Sequence, residues 1–161
     1  MMNSQAGKNI EIREVSGKKA LKTFIRVPWA IYKDDPNWVP PLLMERKEAL
    51  SSKHPFFLHA KWKAWVAFQD DKPVGRISAQ IDELHQQRYN NKTGFFGLIE
   101  APDNDAVFTE LFKTAENWLR ENGMRQIIGP FNLGINQEIG ILTDGFDTPP
   151  CVMTSHSPRY Y

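Results

Sequence analysis

Between residues 73 and 84, Ile77, Ala79 and Ile81 alternate with Arg76, Ser78, Gln80 and Asp82. That period of two predicts a strand with one apolar and one polar face. Residues 94–100, with Phe95, Phe96, Leu98 and Ile99, predict a second strand. Asp103, Asn104 and Asp105 then supply acidic, capping-competent residues for a helix start. From there to about Asn122, the residues Phe108, Leu111, Phe112, Ala115, Trp118 and Leu119 form one apolar stripe at helical spacing. Gly123 is the expected stop, since glycine enters the left-handed cap conformation without strain. Residues 125–131 predict a third strand. A strand, a crossover helix and a further strand imply a parallel pair with a right-handed connection.

The flanking pattern extends this unit. Residues 10–15 predict a short first strand, and Ser16 a helix cap. Leu21, Phe24, Ile25, Trp29 and Tyr32 share one helical face, but Pro28 falls inside it. A kink, or two short helices with Pro28 opening the second, is expected. Residues 35–41 are proline-rich and extended, and 41–50 predict a short helix. Residues 61–69 predict a strand with Trp62, Ala64, Val66 and Phe68 on one face. Asp70-Asp71-Lys72 turns it back into the strand at 73 as an antiparallel hairpin. Trp62 and Trp65 lie on opposite faces, so one of them should face solvent or a partner. Residues 85–93 read as a polar loop. From 132 onward the chain is rich in Gly, Asn and Pro. The reading is one mixed α/β domain over residues 1–161, loop-rich in 132–161.

Composition narrows the setting but not the chemistry. A length of 161 residues supports one domain with a real core. The net charge of +1 provides no global field for nucleic acid or an anionic membrane. No apolar run approaches the ~20 residues of a membrane helix. The N-terminal residues 1–9 are polar, without the apolar core of a signal peptide. A single cysteine, Cys151, excludes an intramolecular disulfide. A cytoplasmic protein is expected, with no nucleic acid and no membrane as partner. His54, His59, His85 and His156 lack metal-ligand spacing, so no metal is expected. Cys151, between prolines and hydrophobics, reads as a small buried residue.

This order of elements resembles the GNAT acyl-CoA N-acyltransferase superfamily over roughly residues 10–132. A closer similarity is to a family of uncharacterised bacterial GNAT-like proteins. It is carried by Asn37-Trp38-Val39-Pro40-Pro41-Leu42-Leu43, Val74-Gly75-Arg76-Ile77, Gly94-Phe95-Phe96-Gly97, Ile128-Gly129-Pro130-Phe131-Asn132 and Gly145-Phe146-Asp147-Thr148-Pro149-Pro150. The resemblance implies a GNAT-like mixed sheet, mostly antiparallel with one parallel strand pair, flanked by helices. It implies acetyl-CoA or another acyl-CoA as co-substrate and a small-molecule amine as acceptor. The alternative is a non-catalytic GNAT-like scaffold or ligand-binding domain that packs with a partner.

Carried onto this chain, the resemblance makes Glu100 the general base at the end of the central strand. By itself, a lone strand-end carboxylate reads first as a solvated or capping group, because it is not a constellation. The resemblance puts acyl-CoA against Leu98, Ile99 and Ala101, with its diphosphate at the helix start near Asn104, Asp105 and Ala106. Such sites use free amides and the helix dipole. Here the segment has no glycine, Pro102 lacks an amide donor, and Asp103 and Asp105 oppose an anion. Asn132, Asn136 and Glu138 follow the last strand, where open α/β sheets bind ligands, and so read either as acceptor-site groups or as turn residues. GNAT domains continue with a further helix and strands. These 161 residues are therefore expected to be a fragment or a shortened version without its C-terminal elements. An open edge at 125–131, uncovered Ile127, Ile139, Ile141 and Leu142, and self-association or dependence on the missing segment would follow. The tyrosine acid of the later helix is expected to be missing as well.

Overall fold

The computed structural model describes residues 9–152 and 154–161; residues 1–8 of the polar N-terminal stretch and Met153 lie outside them. The elements are β1 (Ile10–Glu14), α1 (Gly17–Ile31), α2 (Leu43–Ala49), a 3-10 turn (Pro55–Leu58), β2 (Ala60–Gln69), β3 (Lys72–Asp82), α3 (Glu83–Tyr89), β4 (Thr93–Glu100), α4 (Asp105–Glu121) and β5 (Gln126–Ile128). The sheet order is β1-β2-β3-β4-β5. All neighbours are antiparallel except β4 and β5, which pair in parallel, Thr93 with Gln126 through Phe95 with Ile128. The mixed sheet expected from alternation and crossover is therefore present. Asp70 and Asp71, at φ 50° and 58°, make the β2–β3 turn, whose two left-handed residues match the twist of the strands.

Helices cover both faces. On one, Ile77, Ala79 and Ile81 of β3 and Trp65 of β2 pack with Val107, Leu111, Ala115 and Leu119 of α4. On the other, Ala64 and Val66 pack with Phe24, Ile25 and Val27 of α1. Neither tryptophan of β2 is left to solvent: Trp65 meets Trp118, and Trp62 lies edge-on to Phe24 and Phe57. The polar face of β3 is also buried, with Arg76 8%, Ser78 1% and Gln80 1% exposed. A buried polar side chain must find a partner. Ser78 Oγ donates to Gly97 O, and Gln80 Nε2 donates to Leu133 O.

Three local differences have clear causes. α1 is one helix through Pro28 and not two short ones, because a proline near the helix C-terminus removes only one bond, that to Phe24 O. Residues 83–89 form α3 instead of a loop. Asp82 caps Leu84 N at 2.9 Å, and Asn90 ends the helix at φ 45°, but the segment has no apolar stripe to announce it. β5 ends at Ile128, two residues before Pro130, which has no amide to give to a ladder, although the chain stays beside β4 as far as Phe131. β5 is an edge strand of the sheet, paired only with β4; just beyond it, Asn132 N donates to Glu138 O, and Gly140 N to Pro130 O. Ile139 and Ile141 are exposed, whereas Ile127 and Leu142 are half-buried.

β4 bends at a bulge. Arg76 pairs with Glu100 and Ser78 with Gly97, so β4 carries one extra residue there, and Leu98 takes φ 48°. A non-glycine residue in that region is strained. Beside it, Phe131 N donates to Phe96 O at 2.7 Å. This approach requires Gly97, because a Cβ there would collide with the Phe131 carbonyl. Gly97→Ala is expected to cost about 1–3 kcal/mol, the usual penalty for overpacking, and to push residues 131–132 off β4. Urea unfolding checks it; an unchanged midpoint would show that the approach is not needed.

Candidate functional site

Beyond the bulge, β4 and the chain after β5 diverge, and two clefts open on opposite faces of the sheet. The first, about 400 Å³, lies on the α1 side, and Arg76, Glu100, Arg46, Asn132 and Glu138 form its polar wall. Trp38, Val39, Pro40, Pro41, Leu42, Ile141 and Val152 make its remaining lining mostly apolar. The second, about 1020 Å³, lies against α4 and is lined by Phe96, Phe108 and Phe112. Ile99, Pro130, Ile141 and Tyr161 line both, so the clefts meet at the end of β4.

Glu100 stands at that junction. Its Oε2 accepts hydrogen bonds from Tyr32 OH at 2.8 Å and Tyr161 OH at 2.9 Å. Its Oε1 lies 3.6 Å from Arg76 Nη2. Burial pushes the Glu100 carboxyl above its ordinary range, while Arg76 and the two hydroxyls oppose that rise. Burial and the charge of Glu100 push the Tyr32 and Tyr161 hydroxyls far above the usual tyrosine range, so both remain protonated donors. Burial likewise raises Tyr160, to about 12.

A second network holds the opposite wall. Asn132 Oδ1 accepts from Leu98 N at 2.7 Å, Asn132 Nδ2 donates to Glu138 Oε2, and Arg46 Nη2 donates to Glu138 Oε1. The strained bulge is thus fastened to α2 through Asn132 and Glu138. Farther along, His156 Nε2 lies 2.7 Å from Asp35 Oδ2, and Tyr32 stacks on Trp38 at 5.1 Å. Burial raises the Asp35 carboxyl, but bonds from His156 and the Asn37 amide outweigh it and hold it low. Its stabilising contribution is therefore present above the ordinary 3.8 and is lost as pH falls through the lower folded value.

The structure brings most of the sequence-derived site residues to this place. Glu100, Asn132 and Glu138 line the first cleft, Ile99 lines both, and Asp105 lines the second. Leu98 contributes its amide, already engaged by Asn132, and a side chain buried in the α1-side core. Ala101 has no backbone group free for a ligand: its N donates to Tyr161 OH, and Tyr160 OH donates to its O. At the helix start, Asn104 N donates to Pro102 O, Ala106 N to Asn104 Oδ1 and Val107 N to Asn104 O. Three of the four amides from 104 to 107 are thereby used within the segment. Asn136 is exposed and outside the cleft. Among the described residues, no group of three or more His, Cys, Asp or Glu could hold a metal ion, and no helix is long and apolar enough to cross a membrane. Cys151 is exposed on the cleft wall, not buried, because its loop crosses the cleft mouth.

Sequence reasoning missed Tyr32, Arg46 and Tyr161 and gave Arg76 no role in the site. One signal was available. Arg76, Ser78 and Gln80 alternate in the middle of a long central strand, where a polar row flanked by more sheet is buried and must be paired.

No family model matches the chain. Protein YghO of Escherichia coli (strain K12) is 52% identical over 150 residues, 93% of this chain and 38% of that protein. The bacterial ceramide synthase of Caulobacter vibrioides (strain NA1000 / CB15N) is 47% identical over 154 residues, 94% of this chain and 40% of that protein. The chain spans about two-fifths of the length of these curated relatives. Among solved structures, a GNAT-family acetyltransferase from Staphylococcus aureus Mu50 aligns with TM-score 0.53 at 14% identity, over 76% of this chain and 74% of that one. A predicted acetyltransferase from Clostridium acetobutylicum, solved with acetyl-CoA, aligns with TM-score 0.53 at 13% identity, over 74% of this chain and 79% of that one.

Proposed function

Since the chain has the fold of the GNAT acetyltransferases, we propose that it moves an acyl group from acyl-CoA to the amino group of a long-chain amine. The observation that carries this reading is the meeting of two clefts beside the half-buried carboxylate of Glu100. The aromatic cleft against α4 suits an acyl-pantetheine arm. The α1-side cleft offers carboxylates and arginines on one wall and a mostly apolar remaining lining, which suits an amphipathic amine better than a polycation. The name of the Caulobacter relative, bacterial ceramide synthase, agrees with an amine of that class.

In this reading the acceptor is the free amine, and Glu100 takes a proton from its nitrogen as that nitrogen attacks the thioester carbonyl. The C–N bond forms as the C–S bond breaks, and the oxyanion formed between is stabilised by strand amides. Tyr161 OH, one hydrogen bond from Glu100, returns the proton to the departing thiolate and is restored from Glu100. Incubation with acyl-CoA of several chain lengths and a long-chain amine tests the proposal, with free thiol and N-acyl product measured together. A polycationic amine serves as the contrast; preference for it would overturn the acceptor class.

The second reading, a GNAT-like domain without catalysis, is favoured by the helix start at 102–107. Its used amides and the carboxylates of Asp103 and Asp105 suit a diphosphate poorly. Asp103→Asn with Asp105→Asn is expected to tighten CoA binding by roughly 0.3–1 kcal/mol per charge removed, most clearly at low salt. Calorimetry at two salt concentrations checks it. Micromolar binding by the parent chain without salt dependence would place the diphosphate elsewhere.

A further inference from the structure

Pro28 is the one interior position of α1 with no amide to give, so the carbonyl four residues earlier, Phe24 O, lacks its helical partner. Phe24 is fully buried, and water does not reach that carbonyl. Arg76 Nη1 donates to it at 3.1 Å, with the guanidinium 5.0 Å above the Phe24 ring. The same guanidinium presents Nη2 to Glu100 Oε1 at 3.6 Å, while its Nε is buried with no partner among the described residues. Two anchors therefore set the plane of Arg76: a helix carbonyl on one side and the carboxylate on the other. The sequence pairs them across the sheet, since Arg76 and Glu100 are register partners on β3 and β4.

We propose that Pro28 is a positioning residue: by withholding an amide from Phe24 O it leaves that carbonyl to Arg76, and so holds the guanidinium against Glu100. The inference rests on the reading of Glu100 as the base. Restoring an amide at position 28 gives Phe24 O its helical donor and sets it in competition with Arg76 Nη1. The helix gains and the site loses. The other groups facing Glu100 are Tyr32 from the C-terminal end of α1, Tyr161 and Tyr160 from the end of the chain, and Glu138 with Arg46 across the cleft. None of them contacts Phe24 O through a bond that Pro28 controls.

The test is a carbon-13 titration of the Glu100 carboxyl in the full chain, the signal being identified by its loss in Glu100→Gln. Pro28→Ala is expected to move its midpoint upward by about one pH unit, tenfold in proton affinity. The acid limb of the transfer rate should move with it, at unchanged KM for the acyl donor. Pro28→Ser also restores the amide and should act alike. An Arg76→Lys background supplies the control. A lysine cannot bridge Phe24 O and Glu100 with one nitrogen each, so Pro28→Ala should add nothing there. An unmoved midpoint in Pro28→Ala, or a fully additive shift in the Arg76→Lys background, would overturn the proposal. The titration needs no substrate. A moved midpoint in a chain that transfers nothing upholds the positioning and counts against the acyltransferase reading alone.

Discussion

Glu100→Gln is expected to lower kcat for acyl transfer by about 10²–10⁴-fold, the range for removal of a general base. The amide keeps the size of the side chain and still accepts from Tyr32 and Tyr161, so the clefts should keep their shape. Binding of the acyl donor, measured by calorimetry, should change little, because the α4-side cleft does not depend on this charge. The parent rate should rise with pH along an acid limb above the ordinary 4.5 of a glutamate, since burial raises Glu100. That limb should vanish in the variant. A Glu100→Gln chain that retains most of its activity, with the limb intact, would remove Glu100 from the chemistry.

Arg76→Met is expected to destabilise the fold by about 3–5 kcal/mol near pH 7, because it leaves the largely buried carboxylate of Glu100, its side chain 14% exposed, without its cation. The sign of the pH dependence follows from linkage. A carboxyl raised on folding binds its proton more tightly in the native state. Its contribution to stability is therefore complete below 4.5 and is lost as pH rises through the folded value. Without Arg76 that folded value climbs further, so the variant should recover stability as the pH is lowered toward 5. The double variant Arg76→Met with Glu100→Gln should recover much of the loss at pH 7, since no uncompensated charge remains. Urea unfolding of the three chains at pH 5 and 7 measures this. Equal stability of parent and Arg76→Met at pH 7 would show that the carboxylate finds enough support in Tyr32 and Tyr161.

The elements themselves were legible because each is announced by local chemistry. The period of two in β2 and β3, the stripe of α4, its capping Asn104 and its stop near Gly123 all act within a few residues of chain. The crossover from β4 through α4 then leaves little choice of topology. α3 was not legible, because a helix capped at both ends but lacking an apolar face leaves no periodic trace. Glu100 could be singled out by its place at the end of a strand. Its character could not. The sequence by itself determined a five-stranded mixed sheet, the helix that crosses it, and a carboxylate at the end of the central strand. Only the tertiary structure decided that this carboxylate is largely withdrawn from solvent and gripped by Tyr32, Arg76 and Tyr161, residues far from it along the chain. The physical reason is that a charge's surroundings depend on contacts between distant segments. Periodicity reports which face a residue occupies, and packing alone reports what covers that face.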